Sequence, residues 1–144
     1  MIKKVNSREE LKLILDEFDK YFVPTVSSIV GSLDEYSNKL FKNAETIVFV
    51  EDNKVLGFAS FYCNNMDTKV AYLSQIAVRP ECGSMGIGTL LIKECERISK
   101  ENGMKKLRLE VYNDNIVGNN FYKKNNYTYE SDVSDKSKYM IKNL

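Results

Sequence analysis

The sequence predicts a mixed α+β fold, one sheet carrying helices on its faces. Three observations point there. The apolar period switches along the chain between about two and about 3.6 residues. Runs of β-branched and aromatic residues pair across short polar turns, as antiparallel hairpins do. A glycine-rich loop then joins a strand directly to an amphipathic helix. With 144 residues, 43% hydrophobic and 28% charged, the chain has the size and composition of one globular domain. No repeat, linker or low-complexity tract divides it, so residues 1–144 are read as a single unit.

Taken in order, Ile2 to Asn6 reads as a first strand. Ser7 and Glu10 form a capping-box pair that opens a helix through Leu11, Leu15, Phe18 and Phe22, ended by Pro24. A second helix over Val26 to Lys42 is predicted from Ile29, Val30, Leu33, Tyr36, Leu40 and Phe41 at mixed three- and four-residue spacings, with Gly31 weakening it. Thr46 to Val50 and Val55 to Cys63 make a hairpin across Glu51-Asp52-Asn53-Lys54. After the turn Asn64-Asn65-Met66-Asp67 comes a third strand, Lys69 to Arg79, stopped by Pro80, which has no N–H to extend a ladder. From Gly86 a helix carries Ile87, Leu91, Cys95 and Ile98 on one face and closes at Gly103, a left-handed C-terminal cap. Lys106 to Tyr112 alternates, Leu107, Leu109 and Val111 opposite Lys106, Arg108 and Glu110, and is a strand. A short helix over Asn115 to Lys124 and a hairpin of Tyr127 to Glu130 with Lys138 to Ile141 finish the chain.

Composition narrows the function. A net charge of +1 supplies no bulk field to gather nucleic acid or anionic lipid. Met1 to Ser7 lack the apolar stretch of a signal peptide, and no run approaches membrane-spanning length; a cytoplasmic protein without membrane or nucleic-acid partners is expected. Cys63, Cys82 and Cys95 are odd in number and widely spaced, so they read as free thiols, not as a disulfide or metal framework. Histidine is absent, which removes Ser-His-Asp and Cys-His pairs and every histidine-ligated metal site; no metal is expected.

The segment Gly83-Ser84-Met85-Gly86-Ile87-Gly88-Thr89 carries the chemistry. Small residues between a strand and a helix let backbone N–H groups close on a phosphate, and the helix dipole adds about half a positive charge there. It is not a P-loop, which needs Gly-Lys-Ser/Thr where this chain has Gly88-Thr89-Leu90. A dinucleotide fingerprint counted from Gly86 and Gly88 needs a third glycine where Leu91 stands, and the upstream strands form hairpins instead of βαβ units. The loop, following Ile76-Ala77-Val78-Arg79-Pro80, resembles that of the N-acetyltransferase (GNAT) superfamily, whose acetyl-CoA loop reads Gln/Arg-x-x-Gly-x-Gly/Ala after such a strand. A second stretch, Asn115-Ile116-Val117-Gly118-Asn119-Asn120-Phe121-Tyr122-Lys123-Lys124-Asn125-Asn126-Tyr127, is similar to the family's Asn-led helix and its Phe-Tyr-x-Lys-x-Gly-Phe ending. Departures are Gly83 in place of Gln or Arg, Ser84 in place of Gly, Met85 in place of a basic residue, and Asn126 in place of Gly.

The resemblance implies the acyl-CoA N-acyltransferase fold, a mostly antiparallel twisted sheet splayed in its middle with helices on both faces. It implies acetyl-CoA as co-substrate, held by Ile76, Ala77 and Val78, by Gly83 to Thr89, and by Asn115 and Tyr122. Tyr122 matches the tyrosine beside the CoA sulfur, and a phenol can protonate a departing thiolate. The family's strand glutamate is missing, with Ser74 and Gln75 in its neighbourhood, so Glu110 is the candidate base, directly or through water. The expected activity is direct transfer of an acetyl group to a primary amine of a small molecule or peptide, by a monomer or homodimer. The competing readings are a non-catalytic acyl-CoA-binding module and a protein N-terminal acetyltransferase.

Overall fold

The computed structural model describes all 144 residues. Its strands are β1 (Ile2–Lys4), β2 (Glu45–Glu51), β3 (Lys54–Tyr62), β4 (Val70–Val78), β5 (Lys106–Tyr112), β6 (Thr128–Asp132) and β7 (Ser137–Asn143). Its helices are α1 (Arg8–Phe18), α2 (Val26–Val30), α3 (Leu33–Asn43), α4 (Ile87–Glu101) and α5 (Ile116–Lys124). The strands form one sheet ordered β1-β2-β3-β4-β5-β7-β6, in which only β4 and β5 are parallel. The mixed, mostly antiparallel fold with helices on both faces is therefore as the sequence predicts.

Neighbouring residues on β2 and β3 divide the core between the two faces. Val48 and Phe58 pack with Leu11, Ile14, Leu15 and Phe18 of α1 and Leu40 of α3. Ile47 and Ala59 pack on the other side with Ile87, Leu91, Ile92 and Cys95 of α4. Gly57 allows α4 to sit this close: a Cβ there would lie 2.9 Å from Ala77 O and 3.1 Å from Leu91 Cδ1. The three cysteines are free and buried.

Two helix boundaries differ from expectation. The α-helical part of the first helix ends at Phe18, whose ring lies 5.3 Å from that of Phe58, and Asp19–Tyr21 tighten into one 3-10 turn, so the helical run stops one residue short of Phe22, which is extended. The Asp19 carboxylate accepts from Ser27 N (2.9 Å) and Ser27 Oγ (2.6 Å), tying down the start of α2. The expected helix over Val26 to Lys42 is two helices. Gly31 takes φ +81°, a left-handed conformation that ends α2, and Ser32 starts α3 by accepting from Glu35 N at 3.1 Å.

The feature that opens the molecule lies on β4. On its β3 side, Phe61 pairs with Leu73 and Ser60 with Gln75, leaving Ser74 as the extra residue of a β-bulge. On its β5 side, pairing runs from Val70↔Lys106 to Leu73↔Leu109 and ends there. A bulge bends its strand, and here β4 and β5 stop pairing at the residue before it, the splay that the family resemblance implies. The bulge also flips the alternation: Ala71 and Leu73 face the α4 side, and beyond it Ile76 and Val78 do.

Candidate active site

The splay leaves a cavity of about 580 Å³ between β4 and β5, walled by the chain leaving α1, by α2, and by Tyr36 of α3. Of the residues singled out from sequence, Ile76, Ala77, Val78, Glu110, Asn115 and Tyr122 all line it. The Arg79 N–H donates to Leu56 O at 2.8 Å, back toward β3. By the alternation of an antiparallel ladder, Gln75 and Ala77 also point their N–H and C=O to β3, and Ile76 and Val78 point theirs into the gap, where β5 offers no partner. An extended ligand carrying amides can pair with that free edge.

Gly83 to Thr89 stand outside the cavity, just past the end of β4. Gly86 takes φ +75° as the N-cap of α4, and a side chain there would meet nothing within 4 Å. Glycine offers no capping oxygen, so the N–H groups of Ile87, Gly88 and Thr89 have no acceptor within the protein and can receive an anion. The Ile87 side chain is buried in the core, leaving its backbone to face a ligand. At Gly88 a Cβ would lie 3.2 Å from Phe121 Cε1, a tight contact where α4 meets α5 that the ring would have to relieve by shifting. Gly83 has φ −60°, which any residue can adopt, and Ser84 and Met85 are exposed.

Asn115 is the N-cap of α5, its Oδ1 accepting from Gly118 N at 2.9 Å, which leaves its Nδ2 free to donate. Asn119, which no local pattern singles out, ties α5 to β5 by donating through Nδ2 to Tyr112 O at 3.0 Å. Tyr122 is half-buried against the cavity, and burial pushes its phenol up from the ordinary value. The Tyr122 hydroxyl has no partner in the protein and stays protonated, free to donate. Glu110 is exposed at the cavity and oriented by the Ser137 hydroxyl, which donates to Oε2 at 2.7 Å. Tyr36 donates to Gln75 Oε1 at 2.8 Å across the cavity wall. Neither Ser137 nor the Tyr36–Gln75 pair was legible in the sequence, because the partners lie 27 and 39 residues apart.

Arg79, the cation beside the loop, is not available to it. Its guanidinium donates to Val55 O at 2.7 Å, pairs with Glu17 and lies 5.0 Å over the Phe18 ring. The free donors at the loop therefore include the backbone N–H groups of Ile87, Gly88 and Thr89 but not this guanidinium.

The family model for the acetyltransferase (GNAT) family matches residues 11–127. The chain belongs to the GNAT family. A curated GNAT relative, the spermidine N(1)-acetyltransferase of Thermoplasma acidophilum, is 34% identical over 85 residues, 58% of this chain and 51% of that protein. The aligned part of this chain thus spans about half the length of that relative. Among solved structures, the PaiA N-acetyltransferase of Thermoplasma acidophilum, in complex with coenzyme A, superposes with a TM-score of 0.78 at 23% identity, over 100% of this chain and 99% of that one. The ribosomal-protein-alanine N-acetyltransferase of Brucella melitensis gives a TM-score of 0.79 at 17% identity, over 100% and 99%. At such identities the likeness is one of fold.

Seen as a GNAT chain, one motif departure is structurally neutral. Asn126 occupies the family's glycine position and takes φ +72°, a left-handed conformation that asparagine tolerates better than most residues.

Proposed function

We propose that this protein is an acetyl-CoA-dependent N-acetyltransferase that moves an acetyl group directly to a primary amine. The observation that carries the proposal is the free strand edge at Ile76 and Val78 in a cavity that the unpartnered phenol of Tyr122 also lines, with the uncapped start of α4 following the end of that strand. The fit to acetyl-CoA is specific to each part. The N–H groups of Ile87, Gly88 and Thr89 suit its pyrophosphate, and the β4 edge suits the amides of its pantetheine arm.

When bound, acetyl-CoA supplies an activated acetyl thioester. The β4 backbone N–H groups in the gap orient the acetyl carbonyl and stabilise charge on its oxygen. Glu110, held by Ser137, takes a proton from the incoming amine, directly or through water, so that nitrogen bonds to the acetyl carbon. Tyr122 gives its proton to the sulfur as the carbon–sulfur bond breaks, and the phenol is restored from solvent. The name of the Thermoplasma relative brings spermidine into the acceptor panel, and that of the Brucella structure brings peptide N-termini.

Calorimetric titration with acetyl-CoA, beside Gly86→Glu, tests the proposal. A Cβ at Gly86 meets nothing within 4 Å but is strained at φ +75°, so the fold of the variant is checked by circular dichroism; its carboxylate then occupies the start of α4. Micromolar binding lost in the variant, with amine-dependent thiol release in the parent, is the expected result. Binding without turnover of any amine would make the protein an acyl-CoA-binding module; absence of binding overturns the proposal altogether.

A further inference from the structure

The acceptor half of the cavity has a chemistry of its own. Of the twenty residues that line the whole cavity, the acetyl-CoA side included, fifteen are hydrophobic and only Glu110 carries a charge at neutral pH. Tyr21 and Phe22 leaving α1, Ile29 and Val30 of α2, and Tyr36 of α3 present an aromatic and branched aliphatic wall. Ile29 is 62% exposed, an apolar surface that nothing in the protein covers. The acids flanking this wall are already committed: Glu17 pairs with Arg79, and both oxygens of Asp19 accept from Ser27. Gln75 on the same lining is uncharged, and its carbonyl oxygen already accepts from Tyr36, so it offers no anion to a second ammonium.

A primary amine must reach the reaction centre as its neutral form, and the single carboxylate, Glu110, serves that one nitrogen. A second ammonium on the same molecule would exchange water for an apolar wall and the Gln75 amide, an uncompensated desolvation. A flat or branched apolar body instead covers the exposed wall and gains from leaving water. Resting on the acetyl-transfer reading above, we propose that the acceptor is a small primary amine bearing a single positive charge and an aromatic or bulky apolar body, and not a polyamine.

The test is a comparison of kcat/KM, from acetyl-CoA-dependent thiol release, for 2-phenylethylamine, spermidine and a short apolar peptide with a free N-terminus. The aromatic amine is expected to exceed spermidine by about 100-fold, the scale on which pockets discriminate by unpaired polar groups and lost apolar contact. The Ile29→Glu variant, which places a second carboxylate on the wall, is expected to shrink that ratio at least about tenfold by raising turnover of spermidine. Spermidine equal to or better than the aromatic amine overturns this inference and leaves acetyl transfer standing. So does a peptide that outpaces both. A ratio unchanged in Ile29→Glu overturns the assignment of the α2 wall to the acceptor. No turnover of any amine, with acetyl-CoA still bound in calorimetry, overturns both this inference and the catalytic reading on which it rests.

Discussion

Tyr122→Phe removes one oxygen atom, and its consequences can be worked out from the structure. The phenol makes no hydrogen bond within the protein, while its ring packs edge-on to Phe121 at 5.3 Å and to Tyr127 at 6.1 Å. Phenylalanine keeps both ring contacts, so stability should change by no more than about 0.5 kcal/mol. Loss of a general acid costs roughly 100- to 10,000-fold in rate, about 3 to 5 kcal/mol in the barrier. Because burial raises the Tyr122 pKa, the sign is definite: the phenol remains protonated through neutral pH and beyond its ordinary value near 10. Tyr122 should therefore impose no alkaline fall in kcat below about pH 10. The assay is thiol release at saturating acetyl-CoA, with the affinity for acetyl-CoA measured separately by calorimetry. A kcat within about threefold of the parent, with binding and folding unchanged, would refute the assignment of Tyr122 as the acid.

Further outcomes follow from the same geometry. Glu110→Gln should lower kcat by roughly 100-fold, and Ser137→Ala, which frees the carboxylate without removing it, by less than about tenfold; equal losses would mean that Glu110 acts only as a partner of Ser137. Gly57→Ala should destabilise the protein by about 1 to 3 kcal/mol in denaturant titration, because its Cβ would press on the Ala77 carbonyl and on Leu91, and backbone cannot yield as a side chain can. Burial raises the phenols of Tyr122 and Tyr127 and pushes Tyr72 up to about 12. In the unfolded chain phenols ionise near pH 10, ahead of folded Tyr72, so the unfolded state loses protons first and stability should fall as pH rises from about 10 to 12. Thermal unfolding across that range, read beside phenolate absorbance, checks the sign; ionisation of all nine tyrosines near pH 10 with the fold intact would contradict it.

Several local features of the fold and of the candidate site were legible in the sequence because they are short-range. Gly86 and Gly88 lie at the start of the helix they shape, Asn115 caps the helix that follows it, and Gly103 turns left-handed at φ +86° just past the helix it closes. In each case the determining contacts lie within a few residues, where side-chain and backbone chemistry act directly. One helix departs from expectation for a local reason, Gly31 and the Ser32 cap splitting residues 26–42, and another at Phe18, where side chains farther along the chain take part. Past Phe18, which packs on Phe58, the chain tightens into a 3-10 turn over Asp19–Tyr21, with the Asp19 carboxylate accepting from Ser27.

What the sequence by itself determined was the kind of fold, and it singled out the glycine-rich loop and Tyr122 as candidate site residues. The tertiary structure decided where the sheet opens and what the opening faces. The β-bulge at Ser74 left a trace, since Ala71 and Leu73 fall out of step with Ile76 and Val78, yet a slipped alternation alone does not say that β5 will part from β4. Only the assembled sheet brings Ser137 to Glu110 and Tyr36 to Gln75, and sets the apolar wall of α2 across from them. Those contacts join segments that are distant along the chain, and their partners are chosen by packing of the whole core, a condition that no local window of residues contains.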